Sequence, residues 1–158
     1  MTSGGSLSIS AKYVHTNLIA QDWRALAKFY QDVFGCIPVP PERDFKGSSL
    51  DAATGLVGAH LTGMHLLLPG PSDASPTLEI FHYDVLEART PLAVNRPGFG
   101  HIAFSVDDVP SSREAVLLAG GHQVGEIITL QTSDGRKVTW CYVADPEGNL
   151  LELQSWSQ

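Results

Sequence analysis

Apolar residues along the chain change period in a fixed order, and the order occurs twice. The stretch Tyr13-Val-His15-Thr-Asn-Leu-Ile-Ala20 is short and apolar, as a strand should be. It is followed by Trp23, Leu26, Ala27, Tyr30, Val33 and Phe34 at helical spacing, with Gly35 as a stop. Eighty-six residues after the first strand stands Phe99-Gly-His101-Ile-Ala-Phe-Ser-Val106. A weaker helical set follows it, Ala115, Val116, Leu118 and Ala119, ended by Gly120 and Gly121. Strands then close each half. His60 to Leu68 and Leu78 to Tyr83 flank the turn-rich Pro69-Gly-Pro-Ser-Asp73, while Lys137 to Ala144 and Leu150 to Gln154 flank Asp145-Pro-Glu-Gly-Asn149. The expected fold is therefore α+β: two βαβββ modules, residues 13–95 and 96–158, forming a cup-shaped mixed sheet with helices packed outside. They are expected to act as one integrated domain after a flexible tail of residues 1–12.

Offsets between the halves locate an insertion. Glu79 lies between Leu78 and Ile80, and Glu152 between Leu151 and Leu153, but these two are 73 residues apart rather than 86. The first half thus carries additional residues, expected within 37–55. With Pro38, Pro40 and Pro41 followed by Glu42, Arg43, Asp44, Phe45 and Lys46, that segment reads as an inserted loop. A long polar loop is a lid or binding-loop candidate, with Arg43 or Lys46 placed to meet a substrate anion.

Polar residues inside the repeated strands carry the chemistry. His15 and His101 are equivalent on the first strand of each half, and Glu79 and Glu152 on the last. A lone strand histidine is ordinarily a core or rim residue bonded to backbone, which is the expectation for His60, His65, His82 and His122. A lone strand glutamate ordinarily faces solvent. A fourfold match within a repeat asks for a common cause, because a carboxylate among apolar neighbours is costly unless paired or metal-bound. Two imidazoles and two carboxylates suit one divalent ion, Ni, Co, Zn, Mn or Fe.

Composition narrows the partners. The 158 residues suffice for one substantial core, and a formal charge of -7 disfavours nucleic acid or an anionic membrane. Cys36 and Cys141 form no spacing motif, the first ten residues lack a signal-peptide pattern, and no apolar run is long enough for a membrane span, so a cytoplasmic protein is expected. Gly98, Gly100 and Ala103 spell G-x-G-x-x-A, but that motif must follow a strand and open a helix. Here it follows a proline-rich loop and precedes a strand, the wrong order, so the sequence argues against a dinucleotide site.

On Val14-His15-Thr-Asn-Leu18, Phe29-Tyr-Gln-Asp-Val-Phe-Gly35, Gly98-Phe-Gly-His101-Ile-Ala-Phe104 and Asp145-Pro-Glu-Gly-Asn-Leu-Leu-Glu152, the sequence resembles the vicinal oxygen chelate superfamily. This is the glyoxalase, bleomycin-resistance and extradiol-dioxygenase group. The resemblance implies a metal inside the cup, held by His15, Glu79, His101 and Glu152. It also implies chelation of neighbouring substrate oxygens, with the metal as Lewis acid for an enolate or oxyanion. A two-His, two-Glu set is similar to that of glyoxalase-type enzymes, so the expected activity is that of a metal-dependent isomerase or lyase. Glu79 and Glu152 are the candidate base and reprotonating acid. The expected partners are a small-molecule substrate and a second copy in a homodimer. Whether the four ligands come from one chain or two is open.

Two rivals stand beside that expectation. One is an extradiol-type dioxygenase, whose vacant oxygen position a fourth protein ligand would crowd. The other is a non-catalytic binding protein for an antibiotic or aromatic molecule, its pocket lined by Tyr13, Phe81, Phe99, Phe104, Trp140 and Tyr142.

Overall fold

The chain runs β1 (His15–Ile19), α1 (Trp23–Phe34), β2 (Ile37–Lys46), α2 (Ser48–Thr54), β3 (His60–Leu67) and β4 (Thr77–Tyr83) through its first half. The second half runs β5 (Ile102–Ser105), α3 (Val109–Leu118), β6 (His122–Gln123), β7 (Ile128–Gln131), β8 (Lys137–Ala144) and β9 (Leu150–Ser157). The structure, a computed structural model, describes residues 9–70 and 75–157. Residues 1–8, most of the segment expected to form a tail, and residues 71–74 of the turn-rich link lie outside the described residues.

Each half makes its own sheet. The first has strand order β1-β4-β3-β2, and the second β5-β9-β8-β6 with β7 also on β8. In both, the first strand pairs in parallel with the last, and the other pairings are antiparallel. A parallel pair needs a crossover, and the helix of each half supplies it. Asp22 starts α1 by accepting from the backbone N–H of Arg24 and Ala25, and Gly35 ends it at φ 67°, a conformation that suits glycine. Asp108 caps α3 through Ser111 N–H at 2.7 Å.

Alternation along the strands puts two different surfaces on each sheet. Leu78 and Ile80 of β4 and Leu151 and Leu153 of β9 are fully buried. They join Leu66, Cys141 and Val143, the inner face of α1, and Val109 and Val116 of α3 in one continuous core. Helix α1 packs on β3 and β4, and α3 on β8 and β9. Phe34 of α1 stacks on Phe104 of β5 at 4.0 Å, closing the seam between the halves. The helix-covered faces of both sheets therefore share one core, and their opposite faces look outward from it.

The Asp145-Pro-Glu-Gly-Asn149 turn ties the second half to α1. Asp145 is fully buried and accepts from Tyr30 Oη at 2.9 Å, Asn149 Nδ2 at 2.7 Å, and the backbone N–H of Glu147 and Asn149. Burial raises the carboxyl's pKa, and these donors oppose that rise. The Glu147 carboxylate accepts from the backbone N–H of Gln21 and Asp22, each at 2.8 Å, just ahead of α1.

The expected loop over residues 37–55 is not a loop. Ile37–Lys46 is an edge strand antiparallel to β3, and Ser48–Thr54 is a short helix. Prolines are tolerated in an edge strand because one row of its N–H groups has no ladder partner. The register shifts between Val39 and Arg43, the interval that holds the cis Pro40–Pro41 bond. Arg43 and Lys46 sit in the ladder opposite Gly63 and His60, rather than on a lid. Among the described residues, helix α2 has no counterpart in the second half, consistent with the longer first repeat.

Candidate metal centre

The parallel pairing of first and last strands assembles the same group twice. On β1 and β4, Asn17 stands level with Glu79, and His15, two residues earlier, brings Nε2 to 3.2 Å from Glu79 Oε2. On β5 and β9, Ala103 stands level with Glu152. His101, again two residues earlier, brings Nε2 to 3.2 Å from Glu152 Oε2. Both carboxylates lie on the outward faces, alternating with the buried leucines and isoleucine of their strands. They are nonetheless little exposed, at 12% for Glu79 and 18% for Glu152, so each has lost most of its water.

The structure thus joins the four residues expected as ligands into two pairs. Each pair lies on a face turned away from the shared core. Among the described residues, no group of three or more histidine, cysteine, aspartate or glutamate side chains is disposed to hold an ion within one chain. His15 and His101 both line a groove of about 1130 Å3 between the two edge strands β1 and β5, crossed by residues 86–92. Neither glutamate reaches it.

The surroundings of the two pairs differ. His65 of β3 stands opposite Glu79 in the antiparallel register, with Nε2 2.9 Å from Glu79 Oε1 and Nδ1 3.2 Å from the Thr77 hydroxyl. Burial lowers the pKa of His65, Glu79 opposes the shift, and Arg43 and His15 add to it. Asn17 Nδ2 donates to Glu79 Oε2 at 3.3 Å. In the second half Tyr142 occupies the place of His65, opposite Glu152, with its ring 5.0 Å from that of His101. Phe81 lies near His65 at 5.8 Å between ring centroids, and it stands opposite Gly63. A Cβ at Gly63 would come within 2.4 Å of the Phe81 ring and 2.2 Å of the Ile80 carbonyl oxygen.

The remaining aromatics and histidines divide. Trp140 and Tyr142 share the outward face with Glu152, and Tyr13 and Phe99 line the groove. Phe104, expected in a pocket lining, is instead core. His82 Nδ1 bonds the Ala20 carbonyl oxygen at 3.0 Å, as expected of a rim histidine. His60 and His65 are held by carboxylates, contrary to the backbone bonding expected of them. Cys36 and Cys141 are free and buried, and burial pushes the Cys36 thiol up to about 11, away from nucleophilic use.

Comparison with known proteins now decides the family. The profile of the Glyoxalase/Bleomycin resistance protein/Dioxygenase superfamily matches residues 12–153. The chain belongs to this superfamily. A glyoxalase family protein from Bacillus cereus shares the fold at a TM-score of 0.81, with 16% identity, covering 98% of this chain and 99% of its own. A glyoxalase/bleomycin resistance protein/dioxygenase domain from Frankia superposes at 0.58, with 18% identity over 95% and 100% of the two chains. The fosfomycin resistance protein FosX from Listeria monocytogenes, in a complex with Mn(II) and sulfate, gives 0.54, with 19% identity over 94% and 93%. No match is found among curated protein sequences. Superfamily membership accounts for the paired modules. It covers enzymes and non-catalytic members alike. Among the described residues, no helix is long and apolar enough to cross a membrane.

Proposed function

We propose that this superfamily member is a metal-dependent enzyme of the glyoxalase type, an isomerase or lyase acting on a small carbonyl compound. In this reading its ion is held by His15 and Glu79 of one protomer and His101 and Glu152 of a second. The observation that carries the proposal is the duplicated 3.2 Å separation of imidazole Nε2 and carboxylate Oε2 on two poorly solvated glutamates. With metal–ligand bonds of about 2.1 Å, adjacent ligand atoms on one ion stand roughly 3.0–3.4 Å apart. The donor set, two nitrogens and two oxygens, fits Mn, Fe, Co, Ni or Zn. The Mn(II) bound by the fosfomycin resistance protein falls within that range.

When bound, the ion would polarise neighbouring substrate oxygens as a Lewis acid. The chain's own residues supply the rest. The imidazoles orient the carboxylates, and Trp140, Tyr142 and Phe81 flank the pairs with apolar surface that strengthens local electrostatics by excluding water. One glutamate takes the proton α to the carbonyl, and a glutamate returns it at the neighbouring carbon or oxygen. A dioxygenase is the weaker reading, because four protein ligands leave less room for oxygen beside a chelated substrate.

The test is metal content followed by proton exchange. Purified protein should hold about one divalent ion per chain, two per symmetric dimer. His101→Ala should lose most of the ion while His122→Ala keeps it, and equal contents in the two variants would overturn the assignment. With a substrate found by screening 2-oxo compounds and acyl thioesters in D2O, Glu79→Gln or Glu152→Gln should retain substantial metal. At least one of them should slow exchange by about 100-fold, the worth of a general base.

A further inference from the structure

The two halves repeat each other in strand order, helix position and the His–Glu stagger, so a difference between them at the same register position is informative. Glu79 and Glu152 are equivalent, and the residues opposite them on the neighbouring antiparallel strands are His65 and Tyr142. Both Glu79 oxygens are engaged. Oε2 faces His15 and Asn17, while Oε1 faces His65 at 2.9 Å, and His65 is in turn held through Nδ1 by Thr77. Glu152 has His101 on Oε2 and, among the described residues, no second partner.

We propose that His65 is a positioning residue for Glu79, an inference that rests on the metal-site reading above. A carboxylate on a metal can swing between one-oxygen and two-oxygen binding, or leave. In the tautomer with its proton on Nε2, the neutral ring donates to Glu79 Oε1 and accepts from the Thr77 hydroxyl at Nδ1. That bond to Oε1 would withhold it from the ion and leave Oε2, 3.2 Å from His15 Nε2, as the oxygen available to it. Such outer partners fix ligand orientation, and their loss typically weakens metal binding about 10–100-fold. The half built on Tyr142 lacks this restraint, so Glu79 is the fixed carboxylate of the set.

His65 is not itself placed as a ligand. Its ring meets that of His15 edge-on at 6.0 Å between centroids, and its Nε2 is directed to the opposite oxygen of the carboxylate from His15.

The test measures Mn(II) affinity by calorimetry and electron paramagnetic resonance on the full-length protein, with melting temperature as the fold control. His65→Leu keeps the packing against Phe81 but removes the donor and should weaken Mn(II) binding about 10–100-fold. It should also broaden the Mn(II) spectrum, as Glu79 samples more than one mode. His65→Gln restores an N–H donor and should recover most of the affinity. His82→Leu, which changes a histidine bonded, among the described residues, to the Ala20 carbonyl oxygen, should leave affinity within about 2-fold, far below the loss expected of an outer partner. Wild-type affinity in His65→Leu overturns the proposal while the metal site stands. A loss as complete as that of His15→Ala, without rescue by glutamine, also overturns it, by making His65 a ligand. A wild-type protein that takes up no Mn(II), Fe(II), Co(II), Ni(II) or Zn(II) overturns the metal-site reading and this inference together.

Discussion

His60 is held on both ring nitrogens, by Asp84 at 2.8 Å on Nδ1 and by Asp44 at 2.9 Å on Nε2. Both neighbours accept, so the ring favours the form with two N–H donors. Hydrogen bonds to Asp84 and then Asp44 raise its pKa above the ordinary 6.5, with partial desolvation opposing. Lys46 stands opposite it in the β2–β3 register. A histidine whose folded pKa is raised stabilises the fold fully below its unfolded value, and that contribution is lost as pH rises through the folded value. The melting temperature of wild type relative to an Asp44→Asn, Asp84→Asn variant should therefore be highest near pH 5–6 and converge at alkaline pH. A constant difference across that window would show that the ring does not carry the charge. At this scale the sequence disclosed the residues that repeat and concealed those that do not. His15, His101, Glu79 and Glu152 stand out in the sequence because each vouches for its copy. His65 has no copy, since Tyr142 stands in its place, so it reads as an ordinary strand histidine. Counting equal distances either side of the Pro69–Asp73 turn sets His65 opposite Thr77, on the same face as Glu79 but two residues short of its true partner.

At the scale of elements, periodicity located α1 and the strands β3, β4, β8 and β9 to within a few residues, since each has a buried face with regular spacing. It does not reveal β2, because Pro38, Pro40 and Pro41 read as punctuation. An edge strand offers them positions where no ladder bond is lost, and edge status depends on sheet order, which local sequence does not contain. Connections between elements were likewise hidden. The Asp145–Asn149 turn reads as a hairpin loop, yet its Glu147 accepts two N–H groups ahead of α1, the element that opens the other half of the repeat. A hydrogen bond from backbone to a charged group contributes more than a neutral one, but this carboxylate is partly solvated. Glu147→Ala should therefore cost about 1–2 kcal/mol, a fall of roughly 2–8 °C in melting temperature for a chain of this size. Glu147→Gln should recover part of the loss by keeping one acceptor oxygen. Differential scanning calorimetry measures both, and an unchanged midpoint in the alanine variant would mean that water replaces the carboxylate without loss.

For the whole molecule, the decisive geometry is which faces of the sheets meet. Leu78 and Ile80 on one sheet and Leu151 and Leu153 on the other point into one core, so Glu79 and Glu152, alternating with them, point away from it. In the two-protomer reading proposed above, a site that needs both pairs is completed by a partner, the first half of one copy facing the second half of the other. Two-fold symmetry then yields two identical sites per dimer, each using one half from each chain. This arrangement makes a sharp prediction for mixed subunits. His15→Ala damages only first halves, and His101→Ala only second halves, so either homodimer has two broken sites. In a mixed dimer one site receives both damaged halves and the other receives none. Unfolding and refolding an equimolar mixture should thus restore about one quarter of wild-type metal sites, because random pairing puts half of the dimers in the mixed form. Equilibrium dialysis against Mn(II) measures the recovery. A site assembled within one chain would show none, since every chain in the mixture carries a damaged half. Recovery near one quarter, absent when either variant is refolded alone, would establish that the metal centre belongs to the dimer.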